Sequence, residues 1–468
     1  MPPLRQFTPE YSEGFRCIGP ACEDSCCEQW TVHIDQTTFE KYQALPPGPL
    51  RTIIDENVLR TPEETTAPGG PAAAFAQIRM TADAKCPLLS PDGLCRIQIE
   101  HGDAYLSHMC ATYPRAVYKI EDVTEKALSL SCPEAARLVL LNPHLPTEAE
   151  PNAGSAARND ATSGSDPWRL HFWPIRDFAM ALVRNHALPL WQRLFLLGLF
   201  SRRLDAIAPG DFSEEVPKLL AGFTAAAVTG NLVPSMETLP VDHVQQLDVV
   251  LRLAGMLLHR SHIGPRFTEC IQAFTQGIGN GPGATLESLT AHYAWAHDHY
   301  YAPFFHKHPH ILENYLVNTI FRCRFPFGSD WARNGAPPSM SREFAALTAQ
   351  FALMKGLLIG VAGFHREQFS ADHVVHTVQA ASKHFEHHSD FLKDAHALLV
   401  ESQMDSARGL GILLRNVEST AHVPAAPPIQ PPMHPPIHAS SPAVGTTDSP
   451  LHAHGTAMHE FGAGNPAL

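Results

Sequence analysis

"FRCIGPACEDSCCEQWTVHID", residues 15–35, sets Cys17, Cys22, Cys26 and Cys27 within eleven positions, with Trp30 just behind the adjacent pair. Thiols at that density either staple a small extracellular scaffold or gather at a site in a larger protein, and chain length separates the two. A chain of 468 residues, 44% of them hydrophobic, can bury a large core, and by size it divides into two or three domains of about 100–200 residues each. The start, MPPLRQFTPEYSEGF, lacks the apolar run of a signal peptide. The longest apolar run, LWQRLFLLGLF at 190–200, is interrupted by Gln192 and Arg193 and falls short of a membrane span. The expectation is a soluble cytoplasmic protein with no membrane partner. There, thiols stay reduced unless a metal or redox chemistry holds them, so the cluster reads as a site. A formal net charge of −13 and no Lys/Arg block argue against nucleic acid as a partner.

Eight of the ten cysteines precede residue 133: Cys17, Cys22, Cys26, Cys27, Cys86, Cys95, Cys110 and Cys132. Thiolates are soft ligands suited to zinc or an iron–sulfur cluster, and eight suffice for one four-ligand site with several to spare, or at most two. The paired CxxC knuckles usual for zinc are absent. Adjacent side chains are expected to diverge, so that one of Cys26 and Cys27 ligates while the other packs, serves a second site or does redox chemistry. The plainer alternative is a metal that only staples a domain. Cys270 and Cys323 stand apart and read as ordinary buried cysteines.

Composition sets the domain plan. Residues 1–144 mix short segments with turn signals such as SPDGLC (90–95), and form the expected cysteine-cluster domain. Residues 145–167 are a Gly/Ser/Pro-rich linker or surface loop. From 168 to 418 the pattern turns helical. Phe172, Ile175, Phe178, Ala179, Leu182 and Val183 recur at steps of three and four, with Asp166 and Pro167 placed as N-cap and first helical residue. Further helical patterns follow at 189–207, 242–260, 311–325, 342–363 and 394–416. Residues 419–468 are rich in proline, histidine and small residues, and a disordered tail is expected. The fold class is mainly α: a cysteine-rich metal-cluster domain, an all-helical domain and a disordered C-terminal tail.

The opening stretch, together with CPLLSPDGLCRIQIEHGDAYLSHMCATYPR (86–115) and LSLSCPEAARLVL (128–140), resembles the flagellin lysine-N-methylase family, a branch of the cysteine-cluster proteins thought to chelate iron or zinc. The resemblance carries all eight N-terminal cysteines in order, Trp30, and the Tyr113-Pro114-Arg115 triplet. In the helical part it rests on ENYLVNTIFRCRFPF (313–327), KGLLIG (355–360) and HFEHHSDFL (384–392), and it covers about residues 10–400. It implies methyl transfer from S-adenosylmethionine to lysine ε-amino groups of flagellin, the implied partner. It also implies a cluster at Cys17, Cys22, Cys26, Cys27, Cys86, Cys95, Cys110 and Cys132, iron–sulfur or alternatively zinc. Two other classes stay open: a cluster-bearing redox or metal-handling protein without transferase activity, and a zinc-stapled flagellin-binding adaptor.

No motif places the cofactor. GIGNGPG (277–283) follows a helical pattern and contains Pro282, so it reads as a loop, and the CxxxCxxC spacing of radical enzymes is absent. A lysine methylase must deprotonate an amine and hold a sulfonium methyl in line with it, and aromatic faces and carboxylates suit both cations. Such residues concentrate in HYAWAHDHYYAPFF (292–305) and ILENYLVN (311–318). Asp298, Tyr301, Glu313 and Tyr315 are the catalytic candidates, and Trp295, Tyr300 and Asn314 the cofactor-binding ones. Read otherwise, the aromatics are helix core and the acids a solvated face. His384, His387 and His388 fall at i, i+3 and i+4, and HKHPH (306–310) packs three more histidines, patterns that suit either a metal or a surface.

Overall fold

The structure, a computed structural model, describes residues 5–7, 10–28, 30–61, 75–120, 123–145, 171–259, 262–328, 339–386 and 390–416. The linker, Asp166 and Pro167, His387, His388 and the proline-rich tail lie outside the described residues.

Among the described residues, the first part of the chain holds six short strands: β1 (Arg5–Phe7), β2 (His33–Ile34), β3 (Val58–Arg60), β4 (Ala76–Ile78), β5 (Arg115–Ile120) and β6 (Val123–Leu128). They form two three-stranded sheets that the residue pattern does not announce, ordered β1-β6-β5 and β2-β4-β3. β5 and β6 pair as an antiparallel hairpin in register Arg115↔Leu128 to Ile120↔Val123, and β1 joins β6 in parallel. Along β6 the side chains alternate, so Val123, Glu125 and Ala127 all face inward. A carboxylate on a buried face needs a partner, and Arg176 supplies it at 3.2 Å, with both side chains 2% exposed or less.

Two cores result. The smaller gathers Val32, Ile34, Tyr42, Leu50, Ile54, Ile78, Cys86, Leu88 and Ile97, with Cys27, Trp30, Cys95 and Cys110 packed against it. The larger begins at Tyr11 and Phe15, takes in residues from Ile120 to Leu145, and continues through the helices to Leu414. The segment 1–144 thus serves both cores, and Met1–Pro427 forms one compact unit.

The predicted helical face is present: helix Phe172–Val183 buries Phe172, Ile175, Phe178, Ala179, Leu182 and Val183. In the next helix, Leu190–Asp205, the two polar residues that interrupt the apolar run are themselves buried and bonded. Gln192 reaches Glu237 at 2.7 Å, and Arg193 holds the Leu188 and Val183 carbonyls. The pattern at 394–416 is two helices, Phe391–Glu401 and Ala407–Leu414, rather than one. Gln403 at φ +58° turns the chain between them, and Ser406 caps the second through Gly409 N.

The bundle is centred on helix Met340–His365. Among the described residues, this helix, and not the run at 190–200, is the one long and apolar enough to span a membrane, yet 94% of its apolar window is buried inside the protein. Its Gly360 lies against Phe274 and Gly277 of helix Pro265–Gly277, so close that a Cβ there would overlap Phe274. Of the two glycines in KGLLIG, Gly360 lets these two helices cross, and Gly356 lies against Val250 of helix His243–Leu258.

Candidate functional site

The thiols are brought together by turns. Trp30 Nε1 donates to the Cys26 carbonyl at 2.7 Å, and Cys27 N to Ser25 Oγ at 3.2 Å, closing a turn in which both sulfurs face the same way, 3.9 Å apart. Adjacent side chains diverge in a strand; this turn overturns that expectation. Cys86 N then donates to the Cys27 carbonyl at 2.8 Å. The turn expected at SPDGLC reverses the chain, with Gly93 at φ +75° bonding Ser90 O, so Cys95 returns opposite Leu89. Cys110 enters on the short helix His108–Thr112, capped by Ser107, and Cys132 stands at the N-cap of helix Pro133–Leu140.

The electrostatics show that these groups share one locality. Burial pushes Cys86 up to about 12 and Cys110 up to about 11, and each is raised further by Cys95 and Cys26. Burial also pushes Cys132 up to about 12, with Cys22 and Cys26 adding to it. Within the adjacent pair, the hydrogen bond from Cys27 lowers Cys26 to about 7, helped by the Lys383 ammonium, while Cys27 is raised. The donor chemistry suits a soft metal. Among the described residues, no three Cys, His, Asp or Glu side chains are grouped to hold one ion.

Helix Ala371–Phe385 holds this module against the bundle. Asp24 accepts from Gln379 Nε2 at 2.6 Å and Lys383 Nζ at 2.8 Å, and Lys383 also donates to the Ser25 carbonyl at 2.9 Å. Behind Trp30, whose ring lies 5.5 Å from that of Tyr113, a buried chain runs from the Tyr113 hydroxyl to Ser131 at 2.9 Å. It continues to Ser129 at 2.5 Å and to Glu386 at 2.5 Å. Arg322 closes it on Glu386 at 3.3 Å.

Of the seven candidates in the helical part, four come together. After Trp295 the helix Leu286–Ala296 widens into a π-helical turn, His297–Tyr301, a form that recurs at functional sites. Trp295 stacks on His299 at 4.5 Å and meets Tyr300 edge-on at 5.1 Å, and the Tyr300 hydroxyl donates to Glu367 at 3.2 Å. Asp298 accepts from His297 Nδ1 at 2.8 Å, and buried Tyr301 stacks on the His297 ring at 5.4 Å. The other three are placed elsewhere. Glu313 sits between Arg193 and His186, each 2.8 Å away. Asn314 donates to the carbonyls of Val139 at 3.0 Å, in the last turn of helix Pro133–Leu140, and of Asn142 at 2.7 Å, just past it. Tyr315 is buried near Arg322 and Glu386, on the opposite side of the helix turn from Glu313 and away from the π-helical turn's aromatic cluster.

His243, Tyr293 and His297 also belong to this locality, and the sequence reading passed over them. The density of histidine and aromatics at 292–301 carried a signal for the latter two. Nothing local marked His243. Among the other histidines, His384 is buried with its ring 4.4 Å from Phe267, and His308 lies 6.1 Å from His310. In GIGNGPG, Gly277 ends helix Pro265–Gly277 and the rest is loop leading to helix Leu286–Ala296.

A helical bundle carrying a thiol-rich N-terminal module is the class of protein that fold and site define. Residues 176–413, about half of the chain, match the family described as FliB lysine N-methylase C-terminal domain, and the chain belongs to that family. It is 35% identical over 136 residues to the flagellar biosynthetic protein FliU of Salmonella muenchen, 29% of this chain and 76% of the relative. It is 23% identical over 400 residues to the lysine-N-methylase of Salmonella typhimurium, 83% of this chain and 93% of the relative, and equally so to that of Salmonella choleraesuis. No solved structure matches.

Proposed function

We propose that this protein is a lysine N-methyltransferase that moves methyl groups from S-adenosylmethionine to flagellin lysines, and that its thiol-rich module holds a metal cluster, iron–sulfur or alternatively zinc. The observation that supports this reading furthest is the likeness to proteins named lysine-N-methylase along 83% of the chain, a span too long for the helical part alone. In the reaction, the amine lone pair attacks the sulfonium methyl carbon. An N–C bond would form as the C–S bond breaks, the electron pair returning to sulfur to give a neutral thioether, and the proton that leaves nitrogen would pass to a carboxylate beside the amine or to solvent. Asp298 and Tyr301 on the π-helical turn are suited to the amine, and the faces of Trp295 and Tyr300 to the sulfonium.

The cluster draws its ligands from Cys17, Cys22, Cys26, Cys27, Cys86, Cys95, Cys110 and Cys132, and it staples the module, because thiolate ligation is coupled to folding. The test is mass spectrometry of purified flagellin incubated with the metal-loaded protein. Methyl additions on lysine that require S-adenosylmethionine are expected. Flagellin left unmodified after long incubation rejects the reading.

A further inference from the structure

Beneath the π-helical turn, polar atoms are buried with nothing to bond. Tyr293 is 0% and Tyr301 5% exposed, and neither hydroxyl has a hydrogen-bond partner among the described residues; the same is true of His243 Nε2. A buried hydroxyl without a partner is costly, so three orphaned atoms on neighbouring elements ask for an occupant.

Two ring pairs on neighbouring elements carry them. The His243 ring lies 6.2 Å from that of Tyr293, and the Tyr301 ring is stacked on His297. Tyr293 and His297 stand one helical turn apart, and His297, Lys355 and Asp298 are near enough to His243 to act on its charge. Three elements converge to make the group: the start of helix His243–Leu258, helix Leu286–Ala296 and the π-helical turn. The extra residue of a π-turn rotates the side chains that follow it, which places Tyr301 over His297. The locality opens at Asp298, whose side chain is 19% exposed, beside the surface stack of Trp295 and His299.

The chemistry of the group selects its ligand. Burial keeps both phenols protonated and lowers His243 to about 4, so the interior offers two hydroxyls and a neutral imidazole, with aromatic faces around them and a carboxylate at the mouth. An anion would meet Asp298, and a purely apolar group would leave the orphaned atoms unpaired. A primary amine satisfies all of them: its ammonium form is drawn to the carboxylate and ring faces, and its neutral form donates to and accepts from the hydroxyls.

We propose that Tyr293, Tyr301, His243 and the His297–Asp298 pair form a binding site for the ε-amino group of a lysine side chain. The inference rests on the methyltransferase reading for its biological substrate, though not for its chemistry.

Isothermal titration of the full-length, metal-loaded protein with a peptide carrying one lysine, and with the same peptide carrying norleucine, tests it. The lysine peptide should bind more tightly than the norleucine peptide. Tyr293→Phe and Tyr301→Phe should each weaken the lysine peptide roughly fivefold and leave the norleucine peptide unchanged. Both variants remove only an oxygen without a partner, so they should melt at or above the wild-type temperature. Equal binding of the two peptides, or wild-type affinity in both Phe variants, overturns the site and leaves ordered water as its occupant. Lysine-selective binding that the variants weaken, without methylation of flagellin, would sustain the site and reject the transferase reading. Methylation that both variants perform like wild type would do the reverse.

Discussion

Lys383 reaches Asp24 with an Nζ–Oδ1 distance of 2.8 Å, and the two side chains are only 10% and 13% exposed. The pair ties helix Ala371–Phe385 to the loop between Cys22 and Cys26, so it joins the bundle to the thiols. Removing the ammonium leaves a buried carboxylate with Gln379 and its own loop for company. Lys383→Met should therefore cost about 3 kcal/mol, and adding Asp24→Asn should recover most of the loss, because breaking a buried pair is worse than removing it. Thermal melting of the two single variants and the double variant measures this cycle. Additive losses would show that the two side chains do not act as a pair.

Metal and stability should fall together in the thiol module. Cys26→Ser and Cys110→Ser are expected to lose bound metal and to loosen the small core around Ile34, Ile54 and Ile78, because ligation and folding are coupled. Cys323→Ser, whose sulfur meets Gln350 Nε2 at 4.0 Å in the bundle, should keep its metal. Elemental analysis beside hydrogen exchange of residues 32–110 makes the comparison. Full metal content in both module variants would remove Cys26 and Cys110 from the ligand set.

Two glycines should answer an added methyl group in opposite directions. At Gly360 a Cβ would press on the ring and backbone of Phe274, and backbone cannot swing aside. Gly360→Ala should cost about 1–3 kcal/mol by overpacking the crossing. Gly222 lies within helix Phe212–Thr229 with no atom within 4 Å of where its Cβ would stand. Gly222→Ala should stabilise by up to about 1 kcal/mol through helix propensity. Denaturant midpoints of the two variants give the signs.

What could be read in advance follows the range of the interaction. The face of helix Phe172–Val183 was legible because Phe172, Ile175, Phe178, Ala179, Leu182 and Val183 repeat at helical steps, a property of neighbours in sequence. Arg176, in the middle of that face, was not. Its place is set by Glu125 on β6 and the Phe325 carbonyl, both remote in the chain. The cysteines could be named as a group, but their mutual approach depends on the turns at Ser25–Cys27 and Ser90–Leu94. The turn at Ser25–Cys27 sets Cys26 and Cys27 side by side. Asp298, Tyr300 and Tyr301 were visible as composition. The π-turn that aligns them, and His243 beneath, come from packing against helix Met340–His365 and carry no local signature.

His243 also predicts how stability depends on pH. Burial, with His297 and Lys355 nearby, lowers its folded pKa to about 4 from an ordinary value of 6.5, against the opposing pull of Asp298 and Asp242. Between those values the unfolded chain holds a proton on this ring that the folded protein does not, so unfolding takes up a proton and stability falls as pH is lowered. The contribution is whole above pH 6.5, declines from there to about pH 4, and changes no further below it. His365, also lowered to about 4 by burial and by His373 and His376, acts with the same sign. Substituting one ring should therefore remove part of the acid sensitivity and leave the rest. Melting temperatures of the wild type and His243→Gln, taken at pH 7.5 and 5, measure it: the wild type should lose more between the two pH values than the variant does. Parallel losses would mean that His243 takes its proton in the folded protein as readily as in the unfolded chain, and that the ring is not held neutral beneath the π-helical turn.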